Sequence, residues 1–386
     1  MRILFTSVFG QGHIRPLMRY AKGLIARGHD VSFAAPEACR ELVTEGGVPF
    51  AAFDRLSEEA IRDFWAAQKD VDPTDLPRIG VSQLFADKTA RTALPKLDSH
   101  ILEFRPDVIV RDALEYAAYV LARKRGVPCL RNDAHNMEAE VKIMGFAAAS
   151  VDRLLDAEGL SPDGGRGLRA EVNLSNFPAG FDGDAVPADH TQPVRTTVAA
   201  SAKASEIDWV PRTDKPLVYV TFGTVVGGEV FTFREVFDIA LDAVRDLDVE
   251  VLVTTGPNVD PEEFRNVPPH VEIRRFVPQD AVLSKASAVV FHGGSGTLTG
   301  AFAAGVPMVV VPLFADQPWN AERVEKAGLG VSVTDRQPDV LREAIQSVLQ
   351  SPAMKAKASE VAREVADMPG LDAALDAILS HSNGPS

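Results

Sequence analysis

Three short runs hold residues whose types and spacing suit chemistry. The first, His292-Gly293-Gly294-Ser295-Gly296-Thr297, sets glycines among a histidine and two hydroxyl side chains. Glycine lets backbone amides approach an anion, and a helix opening at such a turn adds its positive end. With His292, Ser295 and Thr297 as side-chain donors, the run reads as a cradle for a diphosphate. It is not a P-loop, because no GxxxxGK[ST] occurs in the chain. Nor is it a nucleophile elbow, because Thr297 stands where GxSxG around Ser295 needs its final glycine. The second run, Asp316-Gln317-Pro318-Trp319-Asn320-Ala321, places an acid beside an amide. That pair offers acceptors and donors to several hydroxyls at once, which suits a sugar.

The third run is Gly10-Gln11-Gly12-His13. A helix starting there puts His13 at its positive end, which disfavours imidazolium and leaves the ring able to take a proton. The run is not a dinucleotide fingerprint: Arg15 occupies the third glycine position, and the next strand ends in Ala34-Ala35 without an acid for a ribose. Asp112 follows the apolar run Asp107–Arg111 directly. A carboxylate there could hold the far nitrogen of His13 and stabilise the imidazolium formed during proton transfer. An Asp in that place also caps a following helix, and the two roles are compatible.

These residues need a scaffold that brings strand ends together. Ile3–Val8 is a short apolar run, followed by Ile14, Leu17, Met18, Ala21, Leu24 and Ile25 at helical spacing, then by Asp30–Ala35. Strand, helix, strand in that order predicts a parallel sheet. Further strands are expected at Asp107–Arg111 and near Pro128-Cys129-Leu130. A second series follows at Pro216–Phe222, Glu250–Thr254, Val271–Arg275, Ala288–Phe291 and Met308–Val311, with helices between and helices at Pro338–Leu349, Ala353–Asp367 and from Leu371. Thr221-Phe222-Gly223-Thr224 and Arg275-Phe276-Val277-Pro278-Gln279 therefore also fall at strand ends. Open α/β sheets bind ligands at those carboxyl ends. Asp54–Leu102 and Ser161–Gln192 are less regular and read as insertions. The composition turns small and polar around Ala199–Ser205, so two α/β domains are expected, 1–205 and 206–386, which suits a chain of 386 residues at roughly 150 residues per domain.

Lys and Arg total 40 against 54 for Asp and Glu, a formal net charge of -14. That balance argues against nucleic acid or an anionic membrane as partner, since both recruit basic surface. Charged residues at 24% and hydrophobic residues at 46% match globular usage, and no apolar run reaches the ~20 residues of a membrane helix. The N-terminal run Met1-Arg2-Ile3-Leu4-Phe5 enters a strand without a signal-peptide cleavage site, so a cytoplasmic protein is expected. With two cysteines, Cys39 and Cys129, no HExxH and no acidic pair at a metal-holding spacing, no metal site is expected.

The linked array from His292 to Thr297, through Gly305-Val306-Pro307, to Asp316, Gln317 and Asn320, with Gly12-His13-Ile14-Arg15-Pro16 upstream, resembles the nucleotide-sugar-dependent glycosyltransferases of GT-B fold. Within them it is most similar to the bacterial natural-product branch, and the resemblance spans nearly the whole chain. It implies two facing Rossmann-like domains with a cleft between them, the first for the acceptor and the second for the donor, with the final helix crossing back. It implies an inverting transfer, without metal or bound cofactor, from a UDP- or dTDP-sugar to a hydroxyl of a small hydrophobic aglycone. His13 would be the general base and Asp112 its partner. Thr224, His292, Gly293, Gly294, Ser295, Gly296 and Thr297 would hold the donor diphosphate, Phe276, Val277 and Gln279 the nucleoside, and Asp316 with Gln317 the sugar. Phe276 stands where many relatives carry Trp.

Phe9, Phe64, Phe85, Met144 and Phe146 are candidates for an apolar acceptor wall, with Trp65 beside them, although each also suits a core. His135, in Asn132-Asp133-Ala134-His135-Asn136, reads as a surface-loop residue that could face the acceptor. Two other readings use the same scaffold. A nucleotide-sugar epimerase or hydrolase would leave His13 and the variable first half without a task. A non-catalytic auxiliary protein would not need the His13–Asp112 pair, and both residues are present.

Overall fold

The computed structural model describes residues 1–72, 74–183, 186–197, 209–224, 226–227 and 233–382. It divides into two compact units, Met1–Thr197 with Pro369–Ser386, and Val198–Met368. The boundary expected at residue 205 lies outside the described residues.

The first unit carries a seven-stranded sheet of order β3-β2-β1-β4-β5-β6-β7. Its strands are β1 (Arg2–Thr6), β2 (Asp30–Pro36), β3 (Phe50–Phe53), β4 (Val108–Asp112), β5 (Cys129–Asn132), β6 (Val172–Ser175) and β7 (Val194–Arg195). Neighbouring strands are all parallel. Both faces of such a sheet are covered, so its central strands read as continuous apolar runs, and every residue of β4 is buried. Helix Gln11–Ala26 turns Ile14, Leu17, Met18, Ala21 and Leu24 onto the sheet, the stripe that its spacing demands.

Helix Leu371–His381 belongs to this same unit: Ala374, Leu375 and Ile378 enter the core beside Leu17, Tyr20 and Leu24. Gly23 provides the room, since a Cβ there would stand 2.7 Å from Leu375. Arg27 closes the contact on Asp372 and Asp376, each at 2.6 Å.

The stretch from Asp54 to Leu102 is more regular than expected. After helix Glu58–Ala66, which is capped by Ser57, the chain is helical from Leu76 to Phe104, with Gly80–Thr89 wound as a π-helix between two α-helical parts. The π-helical stretch lies against helix Met137–Ala157, where the Ser150 hydroxyl donates to the Ser82 carbonyl at 2.6 Å.

The second unit has a six-stranded parallel sheet of order β10-β9-β8-β11-β12-β13. Its strands are β8 (Leu217–Thr221), β9 (Glu250–Thr254), β10 (Val271–Arg274), β11 (Ala288–Phe291), β12 (Met308–Val310) and β13 (Gly330–Ser332). A core of Val and Phe side chains, including Val218, Val220, Phe237, Val251 and Val290, holds helices to it. In each unit the strand order reverses once, between β1 and β4 and between β8 and β11. That reversal opens a crevice at the carboxyl ends of the strands, the usual ligand position in open α/β sheets. Among the described residues no helix is long and apolar enough to cross a membrane.

Candidate functional site

His13 and Asp112 meet at the reversal of the first sheet. β1 ends at Thr6, Gly10 turns the chain at φ 133, and helix Gln11–Ala26 starts. An L-residue would be strained at that φ. His13 thereby stands in the first turn of the helix. Its Nδ1 lies 2.9 Å from Asp112 Oδ2, on the neighbouring strand end. The Asp112 side chain is fully buried and that of His13 is 25% exposed. The other Asp112 oxygen, Oδ1, accepts the Leu114 backbone N–H at 3.0 Å. A carboxylate can only accept, so Nδ1 carries the proton, and in the neutral form of the ring the lone pair lies on Nε2.

Buried charge braces this edge. Arg111 donates to the carbonyl oxygens of Asp112, Ala113 and Glu115 and forms a two-pronged pair with Glu171. Burial works against the guanidinium charge, but Glu171 outweighs it and keeps Arg111 protonated. Glu115 caps helix Tyr116–Arg125 through the Ala117 and Ala118 amides and accepts the Thr6 hydroxyl. On the adjacent strand, Arg131 pairs with Asp133, whose second oxygen takes the Asn173 amide. Burial pushes the Asp133 carboxyl up despite Arg131.

His135 is not the surface residue its loop position suggested. It is 7% exposed, and both its backbone N–H and its Nδ1 lie against Glu140 Oε1, at 3.2 and 2.9 Å. Burial opposes the Glu140 charge, yet His135 and Arg131 overcome it and hold the carboxyl below its ordinary value. This second His–carboxylate pair went unread in the sequence because Glu140 lies inside a helix and marks no motif. The one local signal is Asn136, which caps that helix through the Ala139 amide.

In the second unit the corresponding crevice gathers Gly223 and Thr224 after β8 and the His292 run after β11. Gly223 at φ 79 sits against the His292 ring, where a Cβ would be 2.9 Å from Cε1. Gly294 flanks the same ring, and a Cβ there would overlap Nε2. Two glycines thus make the slot that this imidazole occupies. Burial pulls the His292 pKa down to about 4, against an upward pull from Asp316, so the ring is neutral near pH 7. Helix Ser295–Ala304 opens beside it, with Gly294 as N-cap and no side-chain cap. The first N–H groups of a helix have no intrahelical acceptor. His292 Nδ1 and the Ser295 hydroxyl are buried without a hydrogen-bond partner among the described residues. Unpaired donors collected at a helix N-terminus are the makings of an anion site.

The other residues named for this unit divide in role. Thr297 is buried and its hydroxyl donates to Gln279 Oε1 at 2.9 Å, so the two side chains engage each other. Gln317 is also buried, its Oε1 taking the Leu313 and Phe314 amides at 2.9 and 3.1 Å. Asp316 remains half-buried, Val277 is buried, and the neighbouring Phe276 is 68% exposed.

The acceptor candidates differ in burial and in what they touch. Phe64 packs with Ile79 and Leu84 and against Trp65 edge-on, and it borders a groove of about 720 Å³ shared with Leu56, Gln83, Lys88 and Arg91. Met144 is buried, with its sulfur against the Arg131 guanidinium at 2.7 Å. Phe9 is 53% exposed under the Arg55 guanidinium, while Phe85 and Phe146 are half-buried.

Residues 238–374 match the family model described as the erythromycin biosynthesis protein CIII-like C-terminal domain. The elloramycin glycosyltransferase ElmGT of Streptomyces olivaceus is 28% identical over 387 residues, 96% of this chain and 94% of its own. Among solved structures, the glycotransferase of kitacinnamycin superposes with a TM-score of 0.77 at 27% identity, covering 98% of both chains. The spinosyn rhamnosyltransferase SpnG complexed with thymidine diphosphate gives 0.79 at 22% identity, over 98% of this chain and 100% of that one.

Proposed function

From a chain that is a glycosyltransferase of GT-B fold, similar along its length to bacterial natural-product enzymes, we propose an inverting transfer that uses no metal ion. The sugar moves from a UDP- or dTDP-sugar to a hydroxyl of a small hydrophobic natural-product aglycone. The observation that carries this reading is the His13 Nδ1 contact with a fully buried Asp112. It leaves a basic Nε2 on an imidazole set at a ligand-binding sheet edge.

In this reading His13 Nε2 takes the proton from the acceptor hydroxyl as its oxygen attacks the anomeric carbon, on the face opposite the leaving diphosphate. Asp112 stabilises the imidazolium that forms. The bond to the diphosphate breaks, and the developing charge falls to the helix Ser295–Ala304 N-terminus, the Ser295 hydroxyl and the neutral His292 N–H. Asp316 takes sugar hydroxyls, and Phe276 offers its exposed ring to the base. The thymidine diphosphate complex of the spinosyn enzyme supports a nucleoside diphosphate as the donor's leaving part.

The test has two stages. Calorimetry with UDP, dTDP and a glucose donor of each should show saturable binding by the wild type and weaker binding by His292→Ala. With the donor so chosen, His13→Ala should lose roughly 10²–10⁴-fold in turnover on an unactivated hydroxyl. Wild-type protein that is folded yet binds none of these nucleotides would sink the proposal.

A further inference from the structure

One buried side chain joins the loop after β11 to the loop after β12. Asn320 is fully buried in helix Gln317–Lys326 and donates from Nδ2 to the Gly293 carbonyl at 2.9 Å and to Asp316 Oδ2 at 2.7 Å. An amide nitrogen has two protons, so it can serve both acceptors. Gln317 ties the same loop from its other end through the Leu313 and Phe314 amides. Between these ties Ala315 is held at φ 56, a conformation that non-glycine residues seldom adopt, immediately before Asp316. Gly293, at φ +92, lets the loops close on each other: a Cβ there would be 3.1 Å from the Gln317 carbonyl oxygen and 3.0 Å from Val310.

We propose that Asn320 is a positioning residue that couples the two halves of the donor site, fixing the carboxylate that grips the sugar to the glycine loop that cradles the diphosphate. The inference rests on the donor site assigned above. Both amide protons of Asn320 are engaged within the protein, so it acts on the donor through Asp316. Without it, Asp316 loses the partner that sets its rotamer, while Phe276, at the nucleoside end, is untouched. The sugar should therefore lose its grip selectively.

Asn320→Ser is the version that spares the fold, because one hydroxyl proton can satisfy the Gly293 carbonyl or Asp316 but cannot bridge them. Asn320→Ala removes both bonds. Calorimetry compares UDP with UDP-glucose and dTDP with dTDP-glucose on wild type, both Asn320 variants, Asp316→Ala and the Asn320→Ser/Asp316→Ala double variant, with melting curves as a check on folding. The affinity for the sugar donor relative to its bare diphosphate should fall about tenfold in Asn320→Ser, as for loss of one hydrogen bond to a charged group. Affinity for the bare diphosphate should stay within about threefold, and the double variant should be no weaker than Asp316→Ala alone, since the residues act as one unit. Equal weakening of diphosphate and sugar donor, or full additivity with Asp316→Ala, would overturn the inference with the donor site intact. Wild-type protein that binds no nucleotide overturns the donor site itself, and the inference with it.

Discussion

Replacing Asp112 by Asn tests the proposed base in a way that shape alone does not predict. Asp112 offers one oxygen to His13 Nδ1 at 2.9 Å and the other to the Leu114 N–H at 3.0 Å, in a side chain with no exposure. Asn can take two orientations there. With its oxygen on Leu114, its NH₂ faces His13, which must then present a lone pair at Nδ1 and carry its proton on Nε2, where the acceptor's proton has to go. With the amide flipped, His13 keeps the productive tautomer, but two donors meet at Leu114. A buried donor without an acceptor costs about 1–3 kcal/mol, so the productive orientation is disfavoured by roughly 5- to 150-fold. Loss of the carboxylate charge beside the forming imidazolium adds about another tenfold, since charge-assisted hydrogen bonds are roughly twice as strong as neutral ones. The expected fall in kcat is on the order of 10²–10³ on an aliphatic hydroxyl, with donor affinity unchanged. Asp112→Ala, though less like the native residue, should be no slower, because it does not enforce the wrong tautomer. Steady-state transfer to an aliphatic alcohol and to 4-nitrophenol, which ionises without help, separates the effects: the second acceptor should show a deficit of less than about tenfold. A kcat within tenfold of wild type on the aliphatic acceptor, or equal deficits on both, would refute the tautomer argument.

Two further outcomes concern the second unit. Gly294→Ala would put a methyl group into the His292 ring, so the imidazole must leave its slot. Overpacking of this kind costs about 1–3 kcal/mol, to be read from urea unfolding, and calorimetry should show donor affinity lower by at least tenfold. Acid should also destabilise the protein through His292. Its pKa is about 4 when folded and about 6.5 when unfolded, so the unfolded chain takes up the proton first and stability falls as pH drops from 6.5 to 4. The contribution is roughly 3 kcal/mol at most. His292→Gln should lose less stability over that window than the wild type, and identical pH dependence of the two would show that His292 does not carry the effect.

The His13–Asp112 edge was readable because it is local. A glycine turn after an apolar run, and an acid directly after another, place His13 and Asp112 by strand order once the sheet is parallel. The bearings of several other residues depend on partners that mark no motif in the sequence. Thr297 looks like a ligand donor in sequence, yet it meets Gln279, and Gln317 meets the backbone of its own loop. Composition could not reveal the π-helical turn at Gly80–Thr89, since the helix packed against it begins only at Met137. Strands β3, β6, β7 and β13 are too short to show a period in sequence, at 4, 4, 2 and 3 residues, and three of them are sheet edges.

Helix Leu371–His381 has a consequence for synthesis. The first unit owns residues from both sides of the second, so the order in which the chain is made is not the order in which the units can finish. The second unit, 198–368, is continuous and needs no residue from outside itself to complete its core. The first waits, with the groove beside Tyr20 and Leu24 uncovered, until Leu375 and Ile378 arrive. During that interval the nascent unit presents an apolar strip to chaperones or to another nascent chain. Substitutions at the buried positions Leu375 and Ile378 should therefore lower folding yield as well as the stability of the finished chain.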